Sequence, residues 1–155
     1  MSSDNFVHLH NHTEYSMLDG AARIKKLIAK AVELEMPAIA MTDHGNTHGA
    51  YEFWKQATTQ GIKPIIGIEA YVAPGSRLEK SKVRWGGGGD DDVSGGGAYS
   101  HMTMWSTDNA SMQNLFRLSS EAYLSGYYFK PRMDRELLHK YGKGLIATTG
   151  CPGGE

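Results

Sequence analysis

Cysteine is almost missing from this sequence: Cys151 alone among 155 residues rules out an intrachain disulfide framework and fits a reducing compartment. Long apolar runs are absent too. No stretch approaches the ~18 consecutive apolar residues of a membrane span. The opening Met1-Ser2-Ser3-Asp4-Asn5 lacks the basic-then-apolar order of a secretory signal. The expectation is a cytoplasmic protein with no membrane partner. Charge of one sign is also lacking, since 16 Lys and Arg stand against 17 Asp and Glu for a formal net charge of -1. That excludes a basic coat over the whole domain, but it leaves room for a local phosphate site where bound metal ions supply the positive charge. There is no glycine-rich loop ending in Gly-Lys-Ser/Thr, no dinucleotide-binding glycine fingerprint and no Gly-x-Ser-x-Gly nucleophile elbow.

What is present belongs to a soluble globular domain, with 40% hydrophobic and 21% charged residues. Its length is small for an α/β barrel. Phe6 to His12 reads as a strand whose two-residue period puts Phe6, His8, His10 and His12 on one face. A helix over Ala22 to Met36 follows from Ile24, Leu27, Ile28, Ala31 and Leu34 recurring at threes and fours, with Arg23, Lys25, Lys26, Lys30 and Glu33 on the wet side. Pro37 ends it, and Ala38 to Thr42 is an apolar strand of the kind buried on both faces.

The cycle repeats. Thr47 to Gln60 is predicted as a helix burying Tyr51, Trp54 and Ala57 or their neighbours, and Pro64 to Val72 as the third strand. Such strand-helix-strand units argue for parallel crossovers and an α/β fold. Gly75 to Ala98 breaks the rhythm with Arg77, Lys80, Lys82 and Arg84, four glycines at 86–89, Asp90-Asp91-Asp92 and three more glycines. It gains little by packing and reads as a flexible surface loop; the aspartates there lack anything to fix a metal geometry. Tyr99 to Ser106 is a fourth strand, and Ser111 to Tyr123 a helix showing Met112, Leu115, Phe116, Ser119 and Ala122 on one side. Asp134 caps a shorter helix through Leu137, Leu138 and Tyr141, and Gly144 to Thr149 is a fifth strand. Five strands are few for a closed parallel barrel, and no helix covers the last. The sequence reads as truncated.

The metal-competent side chains gather near strand ends: His10 and His12, Asp19, His44, Glu69, His101 and Cys151. In parallel α/β folds those ends share the edge where ligands bind. His101 fits only if its strand runs antiparallel or is irregular. Imidazole with carboxylate suits zinc, manganese or iron, and a thiolate leans toward zinc. This mixture is not a zinc-finger pattern; it suits a multinuclear hydrolytic centre. Each residue has a plainer reading. Spacing cannot choose among His8, His10 and His12. Asp19 could cap a helix, His44 could sit in a turn, and Cys151 could be a small buried residue. Asp43 could orient a ligand histidine or belong to the turn. Glu69 carries the most weight, because a carboxylate in an apolar strand is costly unless paired or metal-bound.

The run His8-Leu9-His10-Asn11-His12-Thr13-Glu14-Tyr15-Ser16-Met17-Leu18-Asp19-Gly20 resembles the opening motif of PHP domains in bacterial family C replicative DNA polymerases, the polymerase III alpha subunits. Ala40 to Asn46 resembles their second motif and Gly61 to Tyr71 their third. His101, the Gln113-Asn114-Leu115 helix and Thr149 to Glu155 continue the likeness in order. The resemblance implies part of a distorted seven-stranded (β/α) barrel, incomplete at its C-terminus, with up to three zinc or manganese ions. By the family pattern the ligands are His10, His12, Asp19, His44, Glu69, His101 and Cys151, with Asp43 behind them and His8 outside the set; a further Asp-x-His pair is expected beyond residue 155.

It further implies 3'-5' proofreading exonuclease activity, in which metal-activated water attacks the terminal phosphodiester of a primer 3' end. DNA synthesis, and contacts with replisome subunits such as the sliding clamp, would lie in domains outside this stretch. The bare stretch is expected to be inactive or very weak. Arg77, Lys80, Lys82 and Arg84 could touch DNA backbone, although a solvated loop is the simpler reading. Two rivals remain: a PHP phosphatase acting on a small phosphate ester, and a non-catalytic platform for partners.

Overall fold

Ile24, Ile28 and Ala31 recur at four and three residues, and that stripe is what α1 (Ile24–Glu33) buries. Glu35 then takes a left-handed conformation (φ 55°), and Met36 N–H reaches back to Ala31 O at 3.0 Å, closing the helix before Pro37. Strand β1 (Ala38–Met41) is buried throughout. In α2 (Ala50–Thr59) the buried face is Ala50, Phe53 and Ala57; the predicted Tyr51 and Trp54 instead lie exposed, with ring centroids 6.0 Å apart. They sit about one residue's rotation from the core stripe, which keeps the predicted Ala57 and takes the neighbouring Ala50 and Phe53 in their place. The long β2 (Lys63–Val72), β3 (Ser100–Ser106), α3 (Asn109–Leu124), the short β4 (Arg132–Met133), α4 (Arg135–Tyr141) and β5 (Leu145–Thr148) complete the order. Asp108 caps α3 through Ser111, and Asp134 caps α4 by accepting from Leu137 N–H.

This computed structural model describes residues 6–83 and 96–149. Cys151, Arg84 and most of the Gly/Asp run fall outside them. The five strands form one mixed sheet in the order β1-β2-β3-β5, with β4 also pairing β2. β1 and β4 run parallel to β2, whereas β3 is antiparallel to β2 and β5 antiparallel to β3. The architecture is therefore mixed α/β, with a sheet that does not close into a full barrel among the described residues. That fits part of a distorted barrel. Helices α1, α2, α3 and α4 contribute to a single main core with Met41, Ile68, Met104 and Met133. No helix among the described residues is long and apolar enough to cross a membrane.

The predicted first strand is the main correction. Residues 6–12 run beside β1 but do not form a regular ladder. Ala40 N–H bonds His8 O and Thr42 N–H bonds Asn11 O, both at 2.9 Å. Three residues on one chain thus match two on the other, a bulge-like slip that breaks the two-residue alternation across His8 to Asn11. Asn11 bridges the irregularity with its side chain on Ala40 O and His8 O, and Trp105 Nε1–H holds Leu9 O at 2.7 Å. The basic loop is also less free than its composition implies. Arg77 pairs with Asp134 at 3.0 Å and Glu136 at 3.1 Å, and donates to Ser125.

Candidate metal centre

Three pieces of backbone meet where β1 ends. Glu69 N–H bonds Asp43 O at 3.1 Å and Gly45 N–H bonds Glu69 O at 2.8 Å, so His44 and Glu69 lie side by side as an isolated parallel bridge. Across the antiparallel pair, Glu69 faces Thr103 and Tyr71 faces His101, which makes Glu69 and His101 diagonal neighbours on one face. The antiparallel direction of β3 is thus what brings His101 to the site. Gly45 sits at φ 64°, and a Cβ there would come within 2.8 Å of Pro131 and Tyr71. Only glycine permits this turn directly after His44.

Glu69 is the hub. Its residue is only 2% exposed, yet it accepts several imidazole contacts. His10 Nε2 lies 2.6 Å and His12 Nε2 2.9 Å from Oε2, and His101 Nδ1 lies 2.5 Å from Oε1. His44 Nδ1 stands 3.8 Å from Oε2, while its Nε2 contacts Asp19. Burial pushes the Glu69 carboxyl up, but His101, His12 and His10 outweigh that and hold it well below the usual carboxylate range. Burial also lowers His44, with His12 adding to the effect, despite the opposing pull of Asp19 and Glu69. His44 is therefore held toward its neutral form, the form that ligates.

The hydrogen bonds around Ser16 fix one tautomer. Ser16 Oγ donates to Asp43 Oδ1 at 2.6 Å and accepts from His44 N–H at 3.2 Å. A hydroxyl has one proton, so the 3.1 Å contact with His12 Nδ1 must be donated by the ring. His12 Nε2 then carries either a second proton or a bare lone pair aimed at a carboxylate oxygen. Burial pulls the His12 imidazole down, but Glu69 outweighs that and raises it, so a proton on Nε2 bridges to the carboxylate and a shared cation would take that proton's place. His44 adds to this: with Nε2–H on Asp19, its buried Nδ1 has no hydrogen-bond partner among the described residues. The donor set fits a divalent metal, with imidazole and carboxylate in the mixture zinc and manganese accept. Among the described residues, ligand atoms of His10, His12 and Glu69 all lie within 4.8 Å of one another, a candidate metal-coordinating group.

Of the other sequence candidates, Asp19 reaches the centre through His44 and remains 68% exposed on its side chain. His8 lies outside the cluster, its ring 4.7 Å from Phe6. Cys151 lies outside the described residues. Asp43 is fully buried and acts at one remove, holding Thr13 N–H, Thr13 Oγ1–H and Ser16 Oγ–H, with only Ser16 touching a histidine. Sequence reasoning passed over Thr13 and Ser16. Their signal was weak: short hydroxyl side chains within four residues of His12, ordinary in any turn.

The chain is similar to DNA polymerase III subunit alpha from several bacteria. It is 60% identical over 164 residues to that of Saccharopolyspora erythraea, covering 100% of this chain and 14% of the relative. Against Mycobacterium leprae the values are 56% identity, 100% and 13%, and against Thermus aquaticus 51%, 97% and 12%. The chain thus spans about one-seventh of the length of these curated relatives. A solved amidohydrolase from Chromobacterium violaceum, with bound sulfate and no metal, aligns with a TM-score of 0.50 at 24% identity, over 75% of this chain and 32% of its own; that likeness concerns the fold alone. A family model described as PHP domain matches residues 8–155, and the chain belongs to the PHP domain family.

Proposed function

We propose that this domain is a metal-dependent phosphodiesterase that removes nucleotides from the 3' end of DNA, within a bacterial replicative polymerase alpha subunit. The observation that carries the reading is the cluster of imidazoles around one buried carboxylate, with His12 Nδ1 committed to Ser16 and Nε2 left to face Glu69. The relatives that match over the whole chain support the polymerase setting. His10, His12, Asp19, His44, Glu69, His101 and Cys151 would hold zinc or manganese, up to three ions in all. Bound metal supplies an activated water and positive charge against the phosphate oxygens in the transition state.

The chain's own residues do the positioning. Glu69 keeps its negative charge at working pH and anchors three imidazoles at once. Asp43 fixes Ser16, Ser16 fixes the His12 ring, and that rigidity keeps the ligand atoms converged before any metal arrives. Asp19 steers His44 from the open side. Nucleotidyl transfer, a sliding-clamp partner and a cytoplasmic setting belong to the same proposal for the longer polymerase.

The test uses the full-length polymerase subunit, stripped of metal and reloaded with zinc or manganese. A strand with an unpaired 3' end should shorten one nucleotide at a time only after reloading, and His12→Ala and Glu69→Ala should abolish it. Hydrolysis of a small phosphate monoester with none at a DNA end would instead favour a phosphatase. Metal binding with neither activity would leave a structural domain.

A further inference from the structure

We propose that Tyr127 and Phe129 form a stacking platform that holds the unpaired bases of a DNA strand at the mouth of the metal centre. The inference rests on the phosphodiesterase reading of that centre and names how the substrate is selected. A cavity of about 460 Å³ adjoins the cluster, a size typical of ligand sites. His44, His101 and Asp19 line it together with Tyr127, Phe129 and Lys130. Tyr127 and Phe129 are each 56% exposed, and Met17, which also lines the cavity, is 76% exposed. These apolar side chains sit beside the proposed chemistry and bury little of themselves in the protein.

The wall is held in that pose. Phe129 takes a left-handed backbone (φ 61°), as does Met17 (φ 56°), a conformation non-glycine residues adopt only when their surroundings enforce it. Tyr128 N–H bonds Lys130 O at 3.1 Å, so Phe129 is the tip of a tight turn. Behind the turn, the buried Arg132 guanidinium bonds the carbonyls of Gly126, Ala98, Arg77 and Glu79 and lies 4.9 Å from the Tyr128 ring centroid. The aromatic surface is therefore presented by a rigid support, and such preorganised rings lose little entropy on binding.

The chemistry of the wall matches a single strand. Every base offers a π-face, so aromatic stacking tolerates any sequence. Paired bases are already stacked inside the duplex and cannot use it. Lys82 Nζ lies 4.7 Å from the Phe129 ring centroid and Lys130 Nζ 5.6 Å from that of Tyr71, which places two ammonium groups among the rings for the strand's phosphates. Among the described residues Asp19 is the one carboxylate lining this cavity, and it is engaged by His44. A frayed or mismatched 3' end is thus favoured over a paired one by the platform itself.

The experiment compares single-stranded oligodeoxynucleotides whose 3'-terminal residues either carry bases or are abasic, using the full-length chain, wild type and Tyr127→Ala/Phe129→Asn. Both positions are exposed, and asparagine tolerates the left-handed backbone, so the variant is expected to fold; a Tyr127→Trp variant is the conservative control. Binding is read by fluorescence anisotropy without metal, and hydrolysis after metal loading. Wild type and the Trp variant should favour base-bearing ends by ~5- to 150-fold in affinity and in kcat/KM, and the double variant should lose that preference. An equal preference in the double variant, or none in wild type, overturns the platform even where hydrolysis persists. Base-dependent binding that the variant loses, with no hydrolysis by any form, upholds the platform and removes the phosphodiesterase reading instead.

Discussion

Ser16 donates its only hydroxyl proton to Asp43 at 2.6 Å, and this bond makes His12 Nδ1 the donor in its contact with Ser16 while Nε2 faces Glu69. Ser16→Ala removes that constraint without touching a ligand atom. Metal affinity should fall ~10- to 100-fold, the usual cost of losing a group that orients a ligand. Chelator competition checks it. Affinity equal to wild type would mean that the His12 ring is held by other contacts.

Glu69→Gln keeps the shape of the hub and removes its charge. The histidines would then face an amide at the place where a carboxylate now holds them. Metal binding should drop below detection at micromolar ion concentrations. Loading wild type with metal at about 100 times its Kd should raise stability by ~2.7 kcal/mol, and the variant should show no such gain in a thermal melt.

Asp134 gives the clearest pH dependence away from the centre. Burial pushes its carboxyl up, but the N–H groups of Arg77 and Leu137 and the Arg77 guanidinium outweigh that and lower it. A folded value below the unfolded one, ~3.8 to 3.9, means the stabilisation is present above that pH and is lost as pH falls through the folded value. Asp134→Asn can still cap α4, so near neutral pH it should cost ~1–3 kcal/mol for the lost charge-assisted bonds. The gap between variant and wild type should shrink steadily below pH ~4, measured by urea unfolding across the acid range.

Arg132 is fully buried, and its guanidinium spans four carbonyl oxygens. Arg132→Lys offers an ammonium that cannot reach that spread with one planar fork, so it should destabilise by roughly 2–4 kcal/mol. Denaturant melts check this. A near-neutral substitution would show that the carbonyls find other donors.

Much of this was legible in the sequence because the periodic signals were strong. Ile24, Ile28 and Ala31 announced α1, and Asp134 announced the start of α4. Glu69 stood out because a carboxylate in an apolar strand has to be compensated, and the structure supplies that compensation from histidines on separate segments. What stayed hidden depended on tertiary geometry. The bulge between His8 and Asn11 breaks a period that composition cannot reveal, so His8 read the same as its neighbours. The direction of β3 was open because a long connection separates Val72 from Ser100 and imposes no hand. The two-residue β4 is too short to carry any pattern, yet Arg132 within it organises the aromatic turn. Ser16 was invisible for the opposite reason: nothing about a turn serine distinguishes one that sets a tautomer.

The central claim is that Glu69 and the histidines around it share a divalent cation. Crystals of the zinc-loaded protein, measured on both sides of the zinc absorption edge, test it most directly. The expected result is an anomalous peak in contact with His10 Nε2, His12 Nε2 and a Glu69 oxygen, with Nδ1 of His12 still on Ser16. A cation bound elsewhere, with the Glu69–imidazole contacts unchanged, would contradict it.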